Sequence, residues 1–137
     1  MAIGHELHGG EVITLTGELG AGKTYLVRGV AKGVGISTEE VTSPTFTVIQ
    51  EYENEPSIVH VDLYRLESSV EIEEIGLSSY FDPKHVVIIE WADRASPGQL
   101  PQDRLALHLS HRGRYSRHVT LQAFGTRSQE LMSALIT

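Results

Sequence analysis

Three observations predict an α/β fold in which a sheet, parallel at its centre, lies between layers of helix. The stretch Gly17-Glu18-Leu19-Gly20-Ala21-Gly22-Lys23-Thr24 has the spacing G-x-x-x-x-G-K-[ST]. It follows a β-branched run, Glu11-Val12-Ile13-Thr14-Leu15-Thr16, and precedes Leu26, Val27, Val30, Ala31 and Val34, which recur at helical spacing until Gly35. The run Val86-Val87-Ile88-Ile89 is apolar on both faces, as a central parallel strand must be, and Glu90 ends it. Two further stretches alternate, turn and alternate back, the signature of antiparallel hairpins. Strand, glycine turn and helix in that order are the context a P-loop needs. The fold class is therefore a P-loop NTPase-type three-layer domain with a mixed sheet, parallel in its core and antiparallel at its hairpins.

Each residue type in the glycine turn has a physical task. The glycines let backbone N–H groups close around phosphate oxygens, Lys23 places a positive charge beside the β and γ phosphates, and the Thr24 hydroxyl suits Mg²⁺. A nucleoside triphosphate is the expected ligand. The chain has only three lysines, and one of them sits here. The alternative is a glycine-rich turn that happens to hold a lysine.

Before this turn, Met1 to Gly10 carries Ile3 and Leu7 four apart and reads as the tail of an amphipathic helix, with His5 and His8 as surface histidines. After the loop helix, Pro44 forces Ser43 toward an extended conformation and stops any helix. Thr42 and Thr45 in this polar segment are candidates for a switch that senses the γ-phosphate; the alternative is a plain turn into the next strand. Phe46 to Glu53 and Ile58 to Tyr64 read as strands joined by Asn54-Glu55-Pro56-Ser57. Alternation puts His60, Asp62 and Tyr64 on one face, and Val59, Val61 and Leu63 on the other. The polar face is either a solvated edge or, through Asp62, a group serving a metal or its water.

Ser68 and Glu71 fit a capping box for a short helix marked by Val70, Ile72 and Ile75, with Glu71, Glu73 and Glu74 turned outward. Asp82-Pro83 makes the turn before the apolar run. A carboxylate closing a buried strand lies where α/β sheets place ligands, so Glu90 reads as a Walker B acid that holds Mg²⁺ or orients water. Trp91, next to it, packs, covers the nucleotide or senses its phosphate state. Arg94 reads as a surface arginine ahead of the alternative of an arginine finger. Leu105, Leu107 and Leu109 alternate, Arg112-Gly113-Arg114 turns, and Val119 and Leu121 alternate back. His111, Arg112, Arg114, Tyr115, Arg117 and His118 flank that tip as solvated charge or an RNA contact. Thr126 with Gln129 reads as the cap of a final helix bearing Leu131, Met132, Leu135 and Ile136.

Composition narrows the function classes. The 137 residues, 40% of them hydrophobic, suffice for one domain with one sizeable core. No cysteine is present, which removes disulfides, thiolate metal sites and cysteine nucleophiles, and fits a cytoplasmic protein. No apolar run approaches the roughly 20 residues of a membrane span. A net charge of −7 argues against a chain that grips nucleic acid unaided. The charge is uneven: residues 39–93 hold thirteen acids and two bases, residues 94–137 two acids and six arginines. These are ordinary solvated charge or two contact faces of opposite sign.

Taken in order, Gly17 to Thr24, Ser43-Pro44-Thr45-Phe46, His60-Val61-Asp62-Leu63-Tyr64-Arg65 and Glu90-Trp91 resemble the TsaE (YjeE) family, the bacterial ATPase component of tRNA threonylcarbamoyladenosine synthesis. The resemblance implies a small P-loop fold that binds ATP and Mg²⁺ and works with TsaD and TsaB. Together they transfer threonylcarbamoyl to the adenosine beside the anticodon, TsaD performing the transfer and ATP hydrolysis being weak without the assembled complex. It implies that Thr24 and Glu90 are the Mg²⁺ ligands, that Glu18, Leu19, Gly20, Ala21, Gly22 and Lys23 cradle the phosphates, and that Thr45 is the switch residue. Asp62 and Trp91 are implied as site residues needed for activity. tRNA is met indirectly, through the complex. Family members begin with a further strand and most of a helix, including a contact to adenine; by that comparison this chain starts inside that helix. Two other classes share the glycine loop: a small P-loop kinase, and a nucleotide-binding module without turnover.

Overall fold

A computed structural model describes residues 7–17, 48–54, 56–111 and 117–136. Glu18 to Thr24, the helix expected after them, Thr42 to Phe46 and the tip of the second hairpin lie outside the described residues. Six strands form one sheet: β1 (Val12–Gly17), β2 (Ile49–Tyr52), β3 (Ser57–Asp62), β4 (His85–Glu90), β5 (Arg104–His111) and β6 (Arg117–Phe124). Their order is β2-β3-β4-β1-β5-β6. β3, β4, β1 and β5 run parallel, while β2 and β6 pair antiparallel to β3 and β5 at the edges. The mixed sheet expected from the sequence, with a parallel core flanked by hairpins, is the one present. The helices are α1 (Ser69–Glu74) and α2 (Thr126–Ile136), with one-turn 3-10 segments at Leu77–Tyr80, Ala92–Arg94 and Pro97–Gln99. No described helix is long and apolar enough to cross a membrane.

Period-two alternation sorts the strand residues onto the two faces of the sheet. Ile13, Leu15, Ile58, Val86, Ile88, Leu105, Leu107 and Leu109 form one cluster with Leu131 of α2. Val12, Val59, Val61, Val87 and Ile89 form the other with Leu66, Ile72 and Leu77. β4 sits between β3 and β1 and is buried on both sides, which is why every residue from Val86 to Ile89 is apolar. Each such side chain contributes roughly 1.5–3 kcal/mol through burial.

Each helix departs from the sequence expectation in one respect, α1 in its burial and α2 in its cap. Ser68 does cap α1, its Oγ accepting the N–H of Glu71 at 3.3 Å, but only Ile72 of that helix is buried and Val70 is 64% exposed. At α2, Thr126 is the first helical residue and the cap comes from a distant acid. Asp103 accepts the N–H groups of Arg127 and Ser128, both at 2.9 Å, and the Ser128 hydroxyl at 2.6 Å. Gly125, at φ 101°, lets the chain pass this close, since a Cβ there would meet Asp103 Cγ at 2.6 Å. Desolvation works to raise the Asp103 pKa, but those hydrogen bonds and the Arg127 charge outweigh it and hold the carboxyl below its ordinary value. A depressed acid contributes stability above its unfolded pKa, near 3.9, that disappears as pH falls through the folded value. Asp103→Ala is therefore expected to lose about 1 kcal/mol at pH 7, with the gap to the parent narrowing below about pH 4 in urea melts. A gap that stays constant to pH 2.5 would remove the cap assignment.

The N-terminal segment is not helical at Leu7 to Glu11; it is tied down by a buried carboxylate instead. Glu11 accepts the N–H groups of Gly9 at 2.7 Å and His8 at 3.0 Å, and its Oε2 lies 3.3 Å from Arg127 of α2, which also donates to the Gly9 carbonyl. His8 is exposed, as expected. At the entry to β4, Asp82 Oδ1 receives the Lys84 N–H at 2.8 Å and faces His85 Nδ1 at 2.6 Å. Desolvation opposes the shift, but these partners hold the Asp82 pKa below its usual value.

Candidate functional site

The C-terminal ends of β1, β3 and β4 lie side by side, and their register decides which side chains meet. Asp62 pairs with Glu90 across β3 and β4, and Leu15 pairs with Glu90 across β1 and β4. Neighbouring parallel strands are about 4.8 Å apart, so Asp62 and Glu90 share one edge and one face of the sheet. β1 runs two residues past this level and ends at Gly17, where the glycine-rich loop begins. β1 thus ends close to the level of the two acids. Gly17 has φ 131°, and a Cβ on it would lie 2.0 Å from the Leu109 carbonyl oxygen of β5, so no larger residue fits there without moving a strand.

Glu90 is 5% exposed, and its Oε2 lies 2.5 Å from Nε2 of His60. Among the described residues that is the hydrogen bond to this carboxylate, and Oε1 takes none. Asp62 is half-buried, and its Oδ1 accepts the Tyr64 N–H at 3.0 Å, the turn that ends β3 two residues earlier than its apolar pattern suggested. The backbone ladder continues through this turn, from Leu63 N–H to the Glu90 carbonyl at 3.1 Å.

Trp91 follows in a left-handed conformation, φ 59° and ψ 40°. For a residue with a bulky side chain that conformation costs roughly 1–2 kcal/mol. The surroundings that hold it are visible. The Trp91 ring lies 4.9 Å from that of Tyr64 with the planes tilted by 48°, and the Arg94 guanidinium sits 5.8 Å over Trp91 and 5.6 Å over Tyr64. Arg94 also donates to the Leu66 carbonyl at 3.1 Å, and its N–H closes the turn on the Trp91 carbonyl at 3.0 Å. It is an exposed arginine that braces two aromatic rings.

Of the residues singled out from sequence, Asp62, Glu90 and Trp91 are brought to one edge. Glu18, Leu19, Gly20, Ala21, Gly22, Lys23, Thr24 and Thr45 lie outside the described residues. Sequence reasoning missed the part played by His60. Alternation placed it correctly on the face of Asp62, but that face is not solvated at His60, which is fully buried; Asp62 is half-buried, and Tyr64, beyond the strand end, is 51% exposed. His60 pairs with Ile88 and therefore sits diagonally from Glu90. Only the strand register could have revealed this.

The family model for the threonylcarbamoyl adenosine biosynthesis protein TsaE matches residues 1–119. A tRNA threonylcarbamoyladenosine biosynthesis protein TsaE from Bacillus subtilis is 43% identical over 127 residues, covering 92% of this chain and 78% of that one. Its counterpart from Treponema pallidum is 37% identical over 119 residues, covering 87% of each. The crystal structure of Bacillus subtilis YdiB superposes with a TM-score of 0.78 at 36% identity, covering 98% of this chain and 85% of that one, and carries the same P-loop NTPase-like architecture. Sheet topology, the paired acids at the C-terminal ends of β3 and β4, and similarity along nearly the whole length agree: the chain belongs to the TsaE family.

Proposed function

We propose that this chain is the ATP-binding and ATP-hydrolysing component of threonylcarbamoyl modification of the tRNA adenosine beside the anticodon, acting in the cytoplasm with TsaD and TsaB. The observation that carries this reading is the position of Glu90. It closes the central strand level with Leu15 of β1, two residues before the glycine loop begins.

The donor set suits Mg²⁺, which takes hard oxygen ligands and needs only one or two from protein when phosphates supply others. Glu90 offers a carboxylate with one oxygen not hydrogen-bonded among the described residues, and Thr24 the hydroxyl of the loop motif. When bound there, the ion would neutralise charge on the β and γ oxygens. The loop amides and Lys23 hold the phosphates, and Asp62 or Glu90 orients the attacking water. Little base strength is required, because the transition state is loose and catalysis is mostly positioning. Thr45 orders against the γ-phosphate and relaxes on its loss, altering the surface that TsaD and TsaB meet. Trp91, held beside Glu90 in a left-handed conformation, covers the nucleotide in this reading.

Reconstitution tests this reading. Purified chain, TsaD, TsaB, unmodified tRNA and a separate activated threonylcarbamoyl donor are expected to yield modified adenosine and inorganic phosphate only when this chain and Mg-ATP are both present. Modification at full rate without this chain, or transfer of γ-labelled phosphate to an acceptor other than water, would overturn the assignment, the latter in favour of a kinase.

A further inference from the structure

His60 is an expensive residue at its position. It is fully buried among Ile58, Val86 and Ile88 on the apolar face of the sheet, and its Nδ1 has no hydrogen-bond partner among the described residues. An unpaired buried ring nitrogen costs roughly 1–3 kcal/mol, a cost that leucine in the same place would not carry. Packing therefore does not account for the imidazole. Its other nitrogen does: Nε2 lies 2.5 Å from Glu90 Oε2, and an ionised carboxylate can only accept, so Nε2 is the donor.

We propose that His60 is a positioning residue for Glu90, fixing the carboxylate rotamer through the Nε2–H donor to Oε2 so that Oε1 stays available to the metal that the nucleotide site would hold. The inference rests on the reading of Glu90 as the acid of the nucleotide site. A glutamate has three rotatable bonds, and one donor arriving from the neighbouring strand on a rigid ring removes much of that freedom before any ligand arrives. With the proton on Nε2 alone, Nδ1 is left as an unfilled acceptor, a smaller liability than an unpaired buried N–H. Donors of this kind behind a liganding carboxylate typically change metal affinity or activity by 10–100-fold.

Two variants separate positioning from packing. His60→Leu keeps apolar bulk and removes the donor; His60→Gln keeps an N–H donor of similar reach. In the complex with TsaD and TsaB, His60→Leu is expected to lower ATP turnover about 10–100-fold. It should weaken Mn²⁺ binding to the nucleotide complex by a similar factor in electron paramagnetic resonance titrations. Nucleotide affinity without metal is expected to stay within about twofold, and His60→Gln to recover most of both losses. The ring itself is read in the metal-free protein by long-range ¹H–¹⁵N correlation, which should show a proton on Nε2 and a displaced Nε2 signal in Glu90→Gln. Wild-type turnover and Mn²⁺ affinity in His60→Leu, equal losses in the folded Leu and Gln variants, or an Nε2 that carries no proton would each overturn the proposal. A parent chain that binds no Mg-ATP would instead remove the nucleotide reading, while the nitrogen spectrum still decides the His60–Glu90 pair.

Discussion

Glu90→Gln is expected to leave ATP affinity within a few-fold of the parent and to cut partner-stimulated hydrolysis by at least about a hundredfold. Glutamine retains the shape of the side chain, and its carbonyl oxygen can still accept from His60 Nε2 at the 2.5 Å contact, so the core around β4 is preserved. The negative charge is lost, and with it the hard anionic ligand at the strand end. Lys23→Ala should behave in the opposite way, with ATP affinity falling first because the charge facing the β and γ phosphates is gone. Isothermal titration with Mg-ATP, alongside phosphate release in the presence of TsaD and TsaB, distinguishes the two patterns. Normal turnover in Glu90→Gln would remove Glu90 from the site.

Gly17→Ala carries the second large effect, on stability. The residue sits at φ 131°, and the added Cβ would lie 2.0 Å from the Leu109 carbonyl oxygen, well inside van der Waals contact. Because Gly17 pairs with Leu109 in the parallel β1–β5 ladder, relief requires the two strands to separate at the point where the loop leaves. Backbone strain of about 1–3 kcal/mol and a comparable overpacking term together predict a loss of about 3 kcal/mol. That corresponds to a Tm lower by on the order of 10 °C. ATP affinity is expected to fall as well, since the first glycine of the loop is displaced. An alanine variant that melts within 2 °C of the parent would show that the β1–β5 edge is soft enough to absorb the methyl group.

Features written in contiguous residues were legible in the sequence. Val86 to Ile89 announced the central strand because burial on both faces leaves no room for a polar residue, and Glu90 stood out as the first interruption of that run. The hairpins followed from alternation and turn residues. What escaped was set by pairing between distant segments. His60 touches Glu90 because β3 and β4 align Asp62 with Glu90, a register no local pattern encodes. Asp103 displaces Thr126 as the cap of α2 because β5 starts beside the end of β6. The Trp91 backbone had no local signal either, since its left-handed geometry depends on Tyr64 and Arg94 folding over it.

The place of β1 in the sheet bears on how the molecule is made. The first of the described strands in chain order is flanked by β4 and β5, with Val12 beside Val87 and Ile13 beside Leu105. On a ribosome, its hydrogen-bonding edges stay open until most of the chain has emerged, and neither hairpin can occupy them in the meantime. Long-range parallel pairing of this kind makes folding slow and leaves apolar strand edges open to aggregation. Nascent chains truncated before β5 should therefore bind chaperones strongly, and protection of the β1 amides against hydrogen exchange should appear only in chains long enough to include Leu109.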